Sequence, residues 1–133
     1  MQIDGANILV TGGCGLIGST TIDLMLKHHS PARVLILDNL SRGTVANVEH
    51  ALRDRRVTLV KGDIRDPEAV RSAVQGIDAV LHMAALRITA CAAEPREAMA
   101  VMCDGSYNVV EAAKHAGVQK IVAASTASVY GLA

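Results

Sequence analysis

Four glycines and one aspartate stand at spacings that suit the binding of a phosphate-linked ligand. Residues 11–18 read Thr-Gly-Gly-Cys-Gly-Leu-Ile-Gly and contain the pattern Gly13-x-Gly15-x-x-Gly18. An apolar run precedes this segment, a helical pattern follows it, and Asp38 comes twenty residues after Gly18. Glycines let the chain turn tightly and let the amino end of a helix approach a pyrophosphate without a Cβ in the way. Strand, glycine turn, helix and acid together predict a dinucleotide-binding site.

Asp38 also bears on which dinucleotide would bind. A carboxylate at the end of the second strand accepts hydrogen bonds from the 2′- and 3′-hydroxyls of a ribose and repels a 2′-phosphate. A simple turn cap is the alternative role for Asp38. Arg42 could hold a 2′-phosphate, but beside Asp38 we interpret it as a neighbour of the adenosine end or as a solvated loop charge. The sequence therefore predicts NAD in preference to NADP.

The composition argues against several other classes of function. Thirteen basic and thirteen acidic residues leave no net charge, and the chain has no Phe and no Trp, so nothing favours nucleic acid or an anionic membrane surface. No apolar run approaches the ~20 residues that span a bilayer, and the first residues lack the features of a signal peptide. The three cysteines form no CxxC pair and no metal-ligand spacing with the five histidines. We therefore expect no metal, no nucleic acid, no membrane and a reducing, cytoplasmic compartment.

Strands and helices alternate along the chain. Short aliphatic and β-branched runs predict five strands: Asn7–Val10, Arg33–Leu37, Val57–Val60, Ala79–His82 and Lys120–Ala124. Helical patterns lie between them at Leu16–His29, Val45–Asp54, Pro67–Val74 and Pro95–His115. Repeated strand–helix–strand units form parallel sheets. We expect one α/β domain over residues 1–133, a doubly wound parallel sheet of five strands in order 3-2-1-4-5 with helices on both faces.

Two local signals support these helices. Asp66 before Pro67 is typical of an N-cap followed by the first helical position. In the last helix, a stripe of small residues recurs every three or four positions and could pack closely on a sheet: Val101, Gly105, Val109, Ala112 and Ala116.

Five motifs in this order resemble the extended short-chain dehydrogenases, a family with a Rossmann-type fold. They are Thr11-Gly12-Gly13-x-Gly15-x-Ile17-Gly18, Asp38-Asn39-Leu40-Ser41-Arg42-Gly43, Gly62-Asp63-Ile64-Arg65-Asp66, His82-Met83-Ala84-Ala85 and Ser125-Thr126-Ala127-Ser128-Val129-Tyr130-Gly131. Within that group the chain is similar to the NAD-dependent sugar-nucleotide epimerases and dehydratases of the UDP-glucose 4-epimerase type. The resemblance covers the whole chain, and it is more specific for the family than for one reaction.

The resemblance implies roles for residues around the cofactor NAD. Those of the pyrophosphate loop would be Gly12, Gly15, Leu16, Ile17 and Gly18. Those around the adenosine ribose would be Asp38, Asn39, Ser41, Arg42 and Gly43, with Asp63 and Ile64 flanking the adenine. Those that follow the fourth strand along the cofactor would be Met83, Ala84 and Ala85, with Arg87 near the phosphates. The alternative for Asp63 is a helix-start acid, a role that Asp66 already fills.

The resemblance also implies a catalytic hydroxyl at Thr126, four residues before Tyr130. There it would hydrogen-bond the sugar oxygen that loses its proton as hydride leaves the adjacent carbon. Ser125 and Ser128 would be structural neighbours. We interpret His82 as a strand-end histidine and assign it no role.

Two departures from the family pattern stand out. Met102 occupies the position where the family usually has Asn, and a thioether lacks the paired hydrogen bonds of an amide. The family's catalytic tyrosine, four residues before a lysine, has no counterpart here: Tyr107 is followed at that spacing by Glu111, and Tyr130 lies three residues from Ala133. We therefore expect the chain to correspond to the N-terminal portion of a longer enzyme, without its sixth strand and sugar-binding domain, and to be inactive alone.

These expectations describe the NAD-binding portion of a nucleotide-sugar epimerase or dehydratase. The parent would transfer hydride transiently to NAD through a keto-sugar intermediate, with a UDP-sugar as the favoured substrate and a homodimer as one assembly to test. A non-catalytic NAD-sensing module and a reductase of non-sugar substrates remain alternatives, because fold analogy alone does not separate them.

Overall fold

Five parallel strands form the centre of the molecule in the computed structural model, which describes residues 2–126 and 130–131. The strands are β1 (Asn7–Thr11), β2 (Arg33–Asp38), β3 (Val57–Lys61), β4 (Ala79–His82) and β5 (Lys120–Ala123). Their order is β3-β2-β1-β4-β5. The predicted fold class, strand order and strand positions are confirmed, with strand ends shifted by at most one residue.

Helices cover both faces of this sheet. They are α1 (Leu16–His28), α2 (Pro67–Ala73), α3 (Ile88–Ala93), α4 (Pro95–Met99) and α5 (Ser106–His115). Neighbouring residues of a strand point to opposite faces. Accordingly Leu9 of β1 packs in one hydrophobic cluster with Val70 of α2 and Val109 of α5, whereas Ile8 belongs to a second cluster with Ile22 of α1. The sheet is therefore buried on two sides, as its near-continuous apolar strands require.

Both local helix signals are present. The Asp66 carboxylate accepts a hydrogen bond from the Glu68 amide at 2.9 Å, and Pro67 is the first residue of α2. In the small-residue stripe, Val109 is fully buried and Ala112 is 5 % exposed. A Cβ added to Gly105 would lie 2.7 Å from the Ile64 side chain. The stripe therefore brings the helix close to the segment after β3.

Three helical expectations need correction. The helix predicted over 45–54 is wrong, because the segment forms two 3₁₀ turns at Val45–Val48 and Ala51–Arg53, held by bonds such as Arg53 N–H to His50 O. Each turn buries one apolar residue, too few to form the continuous stripe of an α-helix. The helix α3 was not predicted, since none of its residues is buried and it has no amphipathic pattern. The predicted helix 95–115 is interrupted by a π-helical segment, Ala100–Gly105.

In residues 2–126 and 130–131, no helix is long and apolar enough to cross a lipid bilayer. The three cysteines are free thiols, of which Cys14 is buried and Cys103 is exposed.

Candidate functional site

The carboxyl ends of the strands open onto a cleft of about 460 Å³. β1 lies at the centre of the sheet. β2 and β3 lie on one side of it, and β4 and β5 lie on the other, so the strand order reverses beside β1. Ligands of open α/β sheets bind in this crevice. The cleft is lined by residues of four consecutive segments: Gly12, Gly15, Leu16, Ile17 and Gly18 after β1; Leu37, Asp38, Asn39, Ser41, Arg42, Gly43 and Asn47 around the end of β2; Gly62, Asp63 and Ile64 after β3; and Met83, Ala84, Ala85, Leu86, Arg87, Glu97 and Val101 after β4.

The glycine loop packs against its surroundings too closely for side chains. Gly12 has φ +69°, and a Cβ there would lie 2.6 Å from the Ala84 amide nitrogen. A Cβ at Gly18 would lie 2.5 Å from the Gly12 carbonyl oxygen. The loop delivers the chain to Gly15, the N-cap of α1, which provides no side-chain hydrogen bond to the helix. The first amides of a helix lack partners within the helix, so this end of α1 suits an anion.

Asp38 ends β2 and is 7 % exposed, with its carboxylate bound to two backbone amides. One oxygen accepts from Cys14 N–H at 2.9 Å, and the other accepts from Leu40 N–H at 2.8 Å. A carboxylate offers about four acceptor positions. The remaining two can accept the hydroxyls of a ribose.

The segment after β2 is held against the glycine loop by a side chain that the sequence analysis missed. Asn47 donates from Nδ2 to the Cys14 carbonyl oxygen at 2.8 Å. Gly43 makes this approach possible, since a Cβ there would lie 2.6 Å from the Cys14 carbonyl carbon. Asn47 lies outside the residues quoted for the resemblance, and no spacing signal marks it.

A network of hydrogen bonds and ion pairs centred on Asp63 lies beside the cleft. Asp63 Oδ2 accepts from Asn39 Nδ2 at 2.9 Å, and the Asp63 carboxylate also pairs with Arg65 at 2.7 Å. Hydrogen bonds from Arg65 hold the pKa of Asp63 well below its usual range, so this carboxylate is ionised. Arg65 also lies 3.6 Å from Glu97, which comes from α4. The network therefore connects the segments after β2 and β3 to α4.

Two cations line the cleft without a protein partner. Neither Arg42 nor Arg87 forms an ion pair within the described parts of the chain, and both are exposed. Unpaired guanidinium groups and free helix amides suit phosphates.

These residues fit NAD. The helix amides and the Arg87 guanidinium match a pyrophosphate, and the spare acceptor positions of Asp38 match ribose hydroxyls. All sixteen residues for which the resemblance implies contacts with NAD line this one cleft. Their individual roles stay predictions. Six further lining residues were not predicted as cofactor contacts, although Gly62 belongs to one of the quoted motifs and Val101 to the small-residue stripe: Leu37, Asn47, Gly62, Leu86, Glu97 and Val101.

Cys14 is part of the glycine loop. It is fully buried, and burial with the neighbouring Asp38 charge raises its pKa to about 11. A protonated, buried thiol is a packing group and not a nucleophile.

Several other predicted residues lie away from the cleft. Thr126 follows β5, is exposed and does not line the cleft; of its motif, Ala127, Ser128 and Val129 fall outside the described residues. Tyr107 is exposed on α5 and donates to Glu111 at 3.1 Å. Met102 forms one long contact as an acceptor, with Leu86 N–H at 3.4 Å. No group of three potential metal-ligating side chains occurs within residues 2–126 and 130–131.

His82, to which the sequence assigned no role, forms hydrogen-bond contacts with two other side chains. Its ring is buried, with Nδ1 at 2.6 Å from Thr11 Oγ1 and Nε2 at 3.0 Å from Ser106 Oγ. Burial lowers its pKa, which keeps the ring neutral.

Several known proteins with similar sequences are sugar-nucleotide enzymes. The chain is 40 % identical over 131 residues to a UDP-glucose 4-epimerase of Neisseria meningitidis serogroup A, covering 94 % of this chain and 38 % of that protein. It is 34 % identical over 123 residues to an inverting UDP-N-acetylglucosamine 4,6-dehydratase of Campylobacter jejuni, covering 90 % of this chain and 36 % of that one. The chain thus spans little more than a third of the length of these relatives.

Solved structures agree. A UDP-glucose-4-epimerase from Stenotrophomonas maltophila with bound NAD and formylated UDP-arabinopyranose superposes with a TM-score of 0.81 at 36 % identity, covering 95 % of this chain and 38 % of that one. The sequence profile of the NAD dependent epimerase/dehydratase family matches residues 8–133. With the cleft, the glycine loop and Asp38 in the arrangement described, this chain belongs to the NAD dependent epimerase/dehydratase family.

Proposed function

We propose that this chain is the NAD-binding part of a nucleotide-sugar epimerase or dehydratase. The observation that carries the proposal is the position of Asp38, whose carboxylate ends β2 in the cleft beside the glycine loop. The sixteen residues named above are the proposed cofactor contacts, in the roles that the resemblance implies. The proposed unit is one cofactor-binding domain over residues 1–133.

The residues that line the cleft have the following proposed roles. The amides at the start of α1, with Arg87, hold the pyrophosphate, and Arg42 lies near the adenosine end. Asp38 accepts the ribose hydroxyls, and Asp63 with Ile64 borders the adenine. When bound, NAD supplies a hydride acceptor. Thr126 is the proposed hydroxyl that hydrogen-bonds the reacting sugar oxygen.

The proposed substrate is a nucleotide-activated sugar, with a UDP-sugar favoured by the similarity to both epimerases and a dehydratase. The proposal assigns turnover, by hydride transfer and a keto-sugar intermediate, to a longer protein that carries this chain. It does so because the chain spans 38 % and 36 % of the two relatives' lengths, and because Tyr107 has a glutamate, Glu111, four residues later. A homodimer and a reducing, cytoplasmic location, which the three free thiols suit, belong to the same proposal.

Titration calorimetry with NAD and with NADP tests the cofactor assignment. We expect NAD to bind at least about tenfold more tightly, since a 2′-phosphate beside the Asp38 carboxylate costs at least ~1.4 kcal/mol. Equal affinities, or tighter binding of NADP, would contradict the assignment.

Arg42→Gln provides a matched control. If Arg42 lies near the adenosine end without selecting the nucleotide, both affinities fall together and their ratio is kept. A selective loss of NADP binding would instead assign Arg42 to a 2′-phosphate and place the chain among NADP-binding proteins.

A further inference from the structure

A series of three hydrogen-bonded polar side chains lies behind the cleft, two of them buried and the third, Ser106, half-buried. Thr11 ends β1, His82 ends β4, and Ser106 begins α5; the His82 ring bridges the two hydroxyls at 2.6 Å and 3.0 Å. Thr11 and His82 are direct partners in the sheet register. None of the three side chains lines the cleft, so any effect they have on a ligand must be indirect.

A fourth group joins these hydrogen bonds. The Ala84 amide lies 3.4 Å from Thr11 Oγ1 and donates to it. In either neutral tautomer the His82 ring donates from one nitrogen and accepts at the other, and the hydroxyls of Thr11 and Ser106 take the complementary roles. Burial lowers the pKa of His82 and favours the neutral ring.

These hydrogen bonds connect three segments that border the cleft: the glycine loop, the segment after β4 and the π-helical segment Ala100–Gly105. Thr11 directly precedes Gly12 of the glycine loop, and His82 directly precedes Met83. Ser106 directly follows the π-helical segment, and Val101 of that segment lines the cleft. The glycine loop and the segment after β4 are also in close contact, since Ala84 lies against Gly12 with no space for a Cβ.

We propose that His82 is a positioning residue for the cofactor. Through its hydrogen bonds with Thr11 and Ser106, the ring sets the spacing between the glycine loop, the segment 83–87 and the π-helical segment Ala100–Gly105. This inference rests on the proposed function, because it takes NAD as the occupant of the cleft. A neutral imidazole suits the task, since one nitrogen accepts and the other donates across a rigid ring.

The test compares substitutions at Ser106, which can change without emptying the core. Ser106→Ala removes the hydroxyl that pairs with His82 Nε2, and Ser106→Thr keeps a hydroxyl there. Val57→Ala removes buried volume at the amino end of β3, far from the cleft. Calorimetry measures NAD affinity for each variant, and thermal unfolding measures stability. Amide hydrogen exchange at Ala84, followed by NMR, reports on the segment directly.

We expect Ser106→Ala to weaken NAD binding about fivefold to tenfold and to accelerate exchange at Ala84. Ser106→Thr should restore both values, and Val57→Ala should lose stability with NAD affinity unchanged. The inference is overturned if Ser106→Ala binds NAD like the wild type, if Ser106→Thr does not restore binding, or if exchange at Ala84 is unaffected. If the wild-type protein binds no NAD, the proposed function is contradicted, and so is NAD as the ligand of this inference. The amide exchange at Ala84 would still decide whether His82 orders the segment 83–87.

Discussion

Thr126 is the residue on which the proposed chemistry depends most directly. In a longer protein that carries this chain, Thr126→Val should lower turnover by ~10²–10⁴-fold, because valine keeps the shape of threonine without its hydroxyl. NAD affinity should be nearly unchanged, since Thr126 does not line the cleft. Steady-state kinetics with a UDP-sugar measure the first effect and calorimetry the second.

Ser125→Ala is the matched control for that substitution. It removes a neighbouring hydroxyl that we interpret as structural, and it should keep most of the turnover. Full activity of Thr126→Val would make Thr126 a packing residue at the end of β5.

At the residue scale, sequence reasoning works where a role depends on spacing along the chain. The glycine pattern and Asp38, twenty residues apart, predicted a dinucleotide site, and Gly15, Gly18 and Asp38 line the cleft. The other cleft residues were implied by the family resemblance. It fails where a role depends on distant partners. His82 meets Thr11 across 71 residues and Ser106 across 24, and only the register of the folded sheet brings these three side chains together.

The glycine loop yields a prediction at the scale of an element. Gly12 and Gly5 both have positive φ, +69° and +74°, but a Cβ at Gly12 would meet the Ala84 backbone whereas one at Gly5 would meet nothing within 4 Å. Gly5→Ala should therefore cost only the backbone strain, about 1–2 kcal/mol, and should leave NAD affinity unchanged. Gly12→Ala should cost more stability and should greatly weaken NAD binding, because β1 and the segment after β4 must separate.

Urea unfolding and calorimetry on the two variants distinguish these effects. Equal stability losses with equal NAD affinities would mean that the contact between Gly12 and Ala84 is unimportant for the cleft.

Elements with a strong hydrophobic pattern could be predicted, and those without one could not. All five strands follow from short apolar or β-branched runs. The central strands β1, β2 and β4 are largely buried between helices, whereas the edge strands β3 and β5 are largely exposed. The 3₁₀ turns at 45–53 and the helix α3 bury few or no residues, so no periodic stripe distinguishes them from other structures. The π-helical segment depends on backbone hydrogen bonds that residue types do not encode.

For the whole molecule, the shifted pKa values predict a loss of stability toward acid in two stages. Burial lowers the pKa of His82 below the unfolded value of 6.5. The unfolded chain therefore binds more protons below that pH, and stability falls from about pH 6.5 downward. Hydrogen bonds from Arg56 lower the pKa of Asp54 to about 2, and those from Arg65 hold the pKa of Asp63 well below its usual range. These carboxylates stabilise the fold above pH ~4, and their contribution is lost below it.

Urea unfolding between pH 8 and pH 3 measures both stages. His82→Asn should flatten the first stage and keep the second, and Arg65→Gln should reduce the second and keep the first. A wild-type stability that is constant between pH 7 and pH 5 would contradict the contribution assigned to His82.

The two amides bound by Asp38 limit how this protein could change its nucleotide preference. A shorter or neutral residue at position 38 would admit a 2′-phosphate, yet it would also release the amides of Cys14 and Leu40. Leu40 has a left-handed backbone with φ 59°, and the bond to Asp38 helps to hold that strained turn. An evolutionary or engineered switch to NADP therefore needs at least two changes, one that removes the carboxylate and one that supplies a new anchor for the loop. Single-site libraries at position 38 should yield unstable proteins before they yield NADP-specific ones.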